Sequence, residues 1–219
     1  MDKAFWKDRW QRRDIGFHQP HIHEQLKRFW PTLGLPIGSV VFVPLAGKSR
    51  DMVWLATQGH RVVGVELSDV AVREFFQDGG HRPQPSSEGS FEISSAGPFD
   101  LYRGDFFDMP AEALQDVVAV YDRAALIALP PDIRARYAQT LAAIIPRGAV
   151  IFLLAIDYPE HEIKGPPFSV RRDEVERLYG DVFEINVLEA RDGLAASGNL
   201  KRRGVTRLVE TAYLLRRRQ

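Results

Sequence analysis

The chain has 219 residues, 45% of them hydrophobic, which favours one globular domain, residues 1–219, with a sizeable core. Its formal net charge is zero, so we expect neither nucleic acid nor a membrane surface among its partners. The sequence contains no cysteine, which excludes disulfides and thiolate metal sites. The first residues are polar and no apolar run approaches transmembrane length, so we expect a cytoplasmic protein.

Residues 1–36 combine many charges with large aromatic side chains and several prolines, which predicts one or two short helices followed by a loop. Trp6 and Trp10 are four residues apart, so their rings share one face of such a helix. Tryptophan is suited to covering a ligand or to docking a segment onto a domain, and for Trp6 and Trp30 we favour packing. The segment is a candidate lid that orders over a bound ligand.

Three histidines in the same region, His18, His21 and His23, suggest a metal site. A zinc site needs further ligands at suitable spacing, and no convergent carboxylates accompany these histidines. We therefore predict no metal site.

The stretch 39–68 predicts a strand, a helix and a second strand. The run 40–43 is apolar and rich in valine, as is typical of a buried parallel strand. A helical pattern follows over 49–58, and the second strand, 61–66, ends in a carboxylate. A right-handed crossover makes the two strands parallel.

Glu66 closes the second strand about 20 residues after Gly47, where dinucleotide-type folds bind ribose hydroxyls. The alternative is that Glu66 only caps the helix that follows. Gly47-Lys48 resembles the end of a phosphate-binding loop, but Phe42 replaces the first glycine that this loop requires. The turn has one glycine, so the nicotinamide fingerprint also fails. A cofactor without phosphates, such as S-adenosylmethionine, fits this turn better.

The rest of the chain alternates between helices and strands, which predicts a doubly wound, mostly parallel α/β sheet. Asp105 is predicted to contact adenine or to cap a turn, and both alternatives stay open. The predicted elements are a helix at 70–77, a long connection at 78–98, strands at 99–103 and 117–121, a helix at 131–145, a strand at 148–156, a helix at 173–179, and a final strand pair at 183–189 and 208–215 separated by a basic loop at 191–207.

Several segments resemble the thiopurine S-methyltransferase family: residues 6–19, VFVPLAGKSRDMVWLATQGHRVVGVELS, VYDRAALIALP, GPPFSV and ETAYLLRR. These motifs cover nearly the whole chain. The resemblance implies a class I S-adenosylmethionine-dependent methyltransferase of the bacterial type, on a Rossmann-like seven-stranded sheet with an antiparallel edge strand and a helical amino-terminal extension. It also implies a monomer that uses S-adenosylmethionine and releases S-adenosylhomocysteine.

The resemblance further implies the residues of the site. Trp10, Leu45, Glu66 and Arg123 are expected to contact the cofactor, and Phe17 to line the acceptor pocket. Arg123, after the fourth strand, is the expected catalytic residue, although the residues alone also allow a salt bridge with its neighbour Asp122. Ala46 stands where the family commonly has cysteine.

The function that the sequence predicts is methylation of thiopurines or aromatic thiols, with selenium or tellurium species as further candidate acceptors. Two alternatives remain. One is a methyltransferase for another small nucleophile, such as halide or thiocyanate, and the other is a cofactor-binding module without catalysis.

Overall fold

The computed structural model describes residues 3–218, so residues 1, 2 and 219 of the predicted domain and candidate lid lie outside it. The chain divides into two compact units, Met1–Val120 and Tyr121–Gln219. None of the helices in residues 3–218 is long and apolar enough to span a membrane.

Between residues 3 and 123 the structure describes four α-helices, three short 3₁₀ segments and six strands, of which the last begins in the first unit and ends in the second. They are α1 (Lys3–Gln11), α2 (Glu24–Phe29), 3₁₀ segments at Trp30–Leu33, Phe106–Asp108 and Ala111–Leu114, and β1 (Val40–Val43), α3 (Arg50–Thr57), β2 (Arg61–Glu66), α4 (Asp69–Asp78), β3 (Gln84–Glu88), β4 (Phe91–Ala96), β5 (Phe99–Arg103) and β6 (Val117–Arg123).

Four parallel strands of this unit lie side by side in the order β5, β2, β1, β6. Val41 and Phe42 of β1 are fully buried, as expected for a strand covered on both faces. Because parallel strands end at the same edge of a sheet, β1 and β2 deliver residues 44 and 66 to one crevice, where open α/β sheets bind ligands. The predicted strand, helix and parallel strand at 39–68 are thus confirmed.

The helices on this sheet begin at serine caps. The Ser49 hydroxyl accepts a hydrogen bond from the Asp51 amide at 3.2 Å, and the Ser68 hydroxyl accepts one from the Ala71 amide at 3.3 Å. Each helix buries one apolar face against the unit's core. The caps place both helix starts next to the crevice.

The predicted long connection at 78–98 is wrong. It contains an antiparallel hairpin of β3 and β4, which continues the sheet beyond β5. Phe91 and Ile93 of β4 are buried, whereas every residue of β3 is exposed, so β3 lacks the alternation that identifies a half-buried strand. With this hairpin, residues 3–218 contain nine strands instead of the expected seven.

The amino-terminal segment contains the expected short helices and is bound to the rest of the first unit by hydrogen bonds. The Trp30 indole donates to Nε2 of His60 at 3.0 Å, and both rings are buried. The His23 amide donates to Asp51 Oδ1 at 2.9 Å. Trp30 therefore packs and hydrogen-bonds.

The second unit contains three strands and three α-helices after the end of β6. They are a 3₁₀ segment at Leu126–Ala128, α5 (Pro131–Ile144), β7 (Val150–Asp157), α6 (Arg172–Tyr179), β8 (Phe183–Asp192), α7 (Gly198–Arg202) and β9 (Val209–Arg217). Strand β9 lies between β7 and β8 and is antiparallel to both, which confirms the antiparallel edge.

The predicted basic loop at 191–207 is wrong in part, because it contains the short helix α7. Leu200 of this helix is buried in a small apolar cluster with Tyr158, Val205 and Leu208. Leu200 is the one buried residue of α7, and the charged residues next to it in the sequence favour the prediction of an exposed loop.

Candidate active site

The turn after β1 has an unusual backbone. Leu45 adopts a left-handed conformation with φ of 47°, and Gly47 follows with φ of 54°. A left-handed conformation costs a residue with a Cβ roughly 1–2 kcal/mol, and such strain collects at functional sites. The turn is held in part by the amide of buried Ala46, which donates to the Val65 carbonyl of β2 at 2.9 Å.

Glu66 is the polar centre of the crevice. Its side chain is buried, with Oε2 accepting from the Gly47 amide at 2.8 Å and Oε1 accepting from the Ser68 amide at 2.8 Å. Burial raises the pKa of this carboxyl, and the amides of Ser68, Gly47 and Leu67 partly offset the rise. An ionised carboxylate has about four acceptor positions, so the three amides leave room for a bond from a ligand hydroxyl.

Both sequence interpretations of Glu66 therefore have structural support. Its bond to the Ser68 amide stabilises the start of α4, which is the capping alternative. Its bond to Gly47 ties it to the turn, where a ligand would lie. The ribose assignment itself stays a prediction.

Trp10 and Phe17 pack beside this turn. Trp10 is buried, and its ring carbon Cζ2 lies 3.3 Å from the position that a Cβ on Gly47 would occupy. The Phe17 ring meets the Trp10 ring edge to face at 5.7 Å and the Trp6 ring at 5.4 Å. An aromatic cluster of Trp6, Trp10 and Phe17 is therefore in place against the glycine turn.

An ion-pair network links the amino-terminal segment to α4. Glu74, almost completely buried, pairs with Arg13 at 2.8 Å and with Lys48 at 2.8 Å, and Lys48 also pairs with Asp78 at 2.9 Å. Burial alone would lower the pKa of Lys48, but the two carboxylates outweigh it and raise the pKa. The Lys48 ammonium is thus bound to α4, which agrees with the exclusion of a phosphate-binding loop.

Arg123 is the last residue of β6 and lies in the second unit, partly buried. The adjacent Asp122 is fully buried and accepts hydrogen bonds from the Tyr137 hydroxyl at 2.7 Å and from the Leu126 amide at 3.2 Å. Of the predicted site residues, Trp10, Phe17, Leu45 and Glu66 gather around Gly47 in the first unit.

Asp105 caps the 3₁₀ segment that follows it, because its carboxylate accepts from the Phe107 amide at 3.1 Å. It also forms an ion pair with Lys3 of α1. The capping alternative is confirmed, and the adenine contact stays untested.

Residues 3–218 contain no group of three histidine, aspartate or glutamate side chains arranged to hold a metal ion. His23 is instead tied to Asp51 through its backbone amide. Sequence reasoning missed the Asp122–Tyr137 and Arg13–Glu74 contacts, since no local pattern links these partners.

The fold defines the class of protein. Over its whole length it resembles a S-adenosylmethionine-dependent methyltransferase from Anabaena variabilis, with a TM-score of 0.66, 12% identity and coverage of 99% of this chain and 95% of that one. It also resembles 1,6-didemethyltoxoflavin-N1-methyltransferase from Burkholderia thailandensis, solved with S-adenosylhomocysteine, with a TM-score of 0.64, 17% identity and coverage of 96% and 86%. The chain therefore has the class I methyltransferase fold.

The family follows from sequence. The model of the thiopurine S-methyltransferase family matches residues 1–218. Thiopurine S-methyltransferase of Azotobacter vinelandii is 47% identical over 218 residues, covering 100% of both chains. That of Pseudomonas fluorescens Pf-5 is 45% identical over 215 residues, covering 98% of this chain and 97% of the relative. The chain belongs to the thiopurine S-methyltransferase family.

The contact between Trp10 and the glycine turn yields a matched pair of variants. Gly47 and Gly80 both have positive φ, but a Cβ on Gly80 meets nothing within 4 Å. We expect Gly80→Ala to lose about 1–2 kcal/mol of stability from backbone strain alone, without a change in cofactor affinity. Gly47→Ala should show the same strain and also weaken binding of S-adenosylhomocysteine, because the new methyl displaces the Trp10 ring.

Chemical denaturation measures the first effect of these variants and isothermal titration calorimetry the second. Equal affinities of Gly47→Ala and Gly80→Ala for S-adenosylhomocysteine would show that the position of Trp10 has no influence on the cofactor site.

Proposed function

We propose that this chain transfers the methyl group of S-adenosylmethionine to the sulfur of thiopurines and aromatic thiols. The match of the family model to residues 1–218 carries the proposal. The crevice supports it, because a buried carboxylate and a bare glycine turn, with the nearby lysine bound elsewhere, suit an adenosyl group better than a nucleotide phosphate.

Three residues of the first unit are proposed to hold the cofactor. Glu66 would accept a hydrogen bond from the ribose with the acceptor capacity that the amides of Gly47, Ser68 and Leu67 leave. Leu45 would make backbone and apolar contacts at the turn. Trp10 would offer its indole face to the adenosyl group or the sulfonium, since aromatic faces attract cations.

The amino-terminal segment, residues 1–36, is proposed to cover the bound cofactor, with Phe17 lining the acceptor pocket. The aromatic cluster supports this role, because it already lies against Gly47. The Arg13–Glu74 ion pair supports it as well, since it anchors the segment beside the crevice. Water excluded by such a cover cannot compete with the hydrogen bonds of Glu66.

Arg123 is the proposed catalytic residue. When bound, S-adenosylmethionine supplies an electrophilic methyl group on a positively charged sulfur. The guanidinium of Arg123 would stay charged throughout and favour the ionised thiol of the acceptor, which is the better nucleophile. Arg123 would therefore lower the pKa of the acceptor, whose proton leaves through water, and would help to align the sulfur.

We also propose that the protein acts as a cytoplasmic monomer on small molecules and binds no nucleic acid. Its zero formal net charge supports the last point, because nucleic-acid binding draws on a surplus of lysine and arginine.

The activity is tested by incubating the protein with methyl-labelled S-adenosylmethionine and a panel of acceptors. The panel contains 6-mercaptopurine, an aromatic thiol, halide and thiocyanate, and selenium and tellurium oxyanions. We expect label in the S-methyl products. Transfer only to halide or thiocyanate would replace the proposed substrate class, and binding without transfer to any acceptor would refute the enzyme.

The role of Glu66 is tested with S-adenosylhomocysteine and its 2′-deoxy and 3′-deoxy analogues. Glu66→Ala should weaken binding of the parent ligand by about 1–3 kcal/mol, as expected for loss of hydrogen bonds in a buried site. Removal of one ribose hydroxyl should weaken binding to the wild type but hardly to the variant. Calorimetry measures both effects.

The deoxy ligands are needed because Glu66 also holds Gly47 and Ser68. A variant that only loosens the turn would lose the same affinity for all three ligands. That result would contradict direct ribose binding.

The role of Arg123 is tested by comparing Arg123→Ala with Arg123→Lys, which keeps the charge. The alanine variant should lose roughly 10- to 100-fold in turnover on a thiopurine, the effect of one charged hydrogen bond of about 1.5–3 kcal/mol. Cofactor affinity should fall less. The deficit should shrink at high pH, where the acceptor ionises unaided.

Stopped turnover assays between pH 6 and 10 measure this dependence. If wild type and Arg123→Ala react equally fast across that range, Arg123 is structural.

A further inference from the structure

The carboxylate of Asp122 forms hydrogen bonds across the turn that follows β6 and contains Arg123. Asp122 is fully buried, and its Oδ1 accepts from the Leu126 amide at 3.2 Å. The Ala125 amide also bonds to this carboxylate. These bonds bridge Arg123 and Ala124. The carboxylate therefore fixes the backbone on both sides of these two residues.

This turn is strained. Ala124 has φ of 64°, a left-handed conformation that costs a residue with a Cβ roughly 1–2 kcal/mol. Such a conformation persists only where its surroundings hold it in place. The Asp122 carboxylate supplies bonds on the far side of the strained residue.

Tyr137 of α5 in turn orients the carboxylate. Its hydroxyl donates to Asp122 Oδ2 at 2.7 Å, the usual length for a bond from a hydroxyl donor. Tyr137 and Asp122 are both completely buried, so bulk water does not compete for either group. Oδ2 thus faces Tyr137 and leaves Oδ1 for the Leu126 amide.

We propose that Asp122 is a positioning residue: its ionised carboxylate, oriented by Tyr137, holds the turn at 122–126 and so sets the direction of Arg123 at the end of β6. This inference rests on the proposed catalytic role of Arg123. If Arg123 binds the methyl acceptor, the buried Asp122–Tyr137 pair determines where the acceptor lies.

The charge of Asp122 changes within the working range of pH. Burial raises its pKa to about 6, although the bonds from Tyr137 and from the amides of Leu126 and Ala125 oppose the rise. Below this pH the neutral carboxyl accepts the amide bonds less strongly than the carboxylate does. Turnover should therefore fall as the pH drops through about 6.

The stability contribution of Asp122 has the opposite sign. Its folded pKa, about 6, lies above the ordinary value of 3.8, so its contribution to folding is full below 3.8 and is lost as the pH rises through about 6. Protonation of Asp122 thus lowers turnover without destabilising the fold. This separates loss of positioning from acid unfolding.

Two tyrosines, from α5 and α6, interact electrostatically with Asp122. Burial, and next the charge of Asp122, raise the pKa of Tyr137 well above the ordinary value, and the same causes act on Tyr179 of α6. Both hydroxyls stay neutral near pH 6. Arg123 adjoins Asp122 in the chain and stays charged.

Tyr179 makes a matched control. It is as deeply buried as Tyr137, but within the described residues its hydroxyl has no hydrogen-bond partner. Tyr137→Phe and Tyr179→Phe therefore remove the same atom from similar surroundings, and only the first removes a bond to Asp122.

The experiment follows turnover between pH 5 and 8 with 5-thio-2-nitrobenzoate, an aromatic thiol that stays ionised over this range. The pH dependence then reports the enzyme and not the acceptor. We expect Tyr137→Phe to move the acid limb upward by about one pH unit, because the bond that stabilises the carboxylate is gone. Tyr179→Phe should keep the acid limb of the wild type. An unmoved limb in Tyr137→Phe overturns the proposal.

Amide NMR provides a second readout that needs no activity. The Ala125 and Leu126 amide shifts of the wild type should titrate near pH 6, and their midpoint should rise in Tyr137→Phe only. If the wild type methylates no acceptor but these amides behave as expected, the proposed function fails while the hold of Asp122 on the turn stands. Amide shifts that ignore pH in this range overturn that hold directly.

Discussion

One buried carboxylate joins the two loops that form the ligand crevice of the first unit. Glu66 ends β2 and accepts the Gly47 amide from the turn after β1 and the Ser68 amide at the start of α4. Glu66 thereby fixes the distance between the turn after β1 and the start of α4, which are separate in sequence. Burial of the carboxyl raises its pKa, so these amide bonds also keep a charge in a place where it is otherwise unfavourable.

The parallel core could be predicted because its signals are local. Runs of buried residues identify β1, β2 and β7, and serine caps and glycine stops delimit α3 and α4. The β3–β4 hairpin could not be predicted from periodicity, since every residue of β3 is exposed. The two-residue turn at Gly89 and Ser90 was the available signal, because glycine supplies the positive φ that tight hairpins require.

The candidate site divides in the same way. Glu66 follows from its place at a strand end, and Trp10 and Arg123 follow from a resemblance that covers nearly the whole chain. The partners that hold these residues do not follow. Asp122 and Tyr137 are 15 residues apart on different elements, and Arg13 reaches Glu74 only after α1 and α4 have packed. Hydrogen bonds between elements that are distant in the chain produce no periodic sequence pattern from which they could be predicted.

Ala46, buried at the centre of the glycine turn, has a chemical consequence. Its methyl group packs close to Gly64 of β2, so the space suits a small side chain. Alanine fills this space, and the sequence has no cysteine at this or any other position. With no sulfhydryl in its sequence, the chain cannot form a mixed disulfide with an oxidised thiol, so cysteine oxidation is excluded as a route of its inactivation.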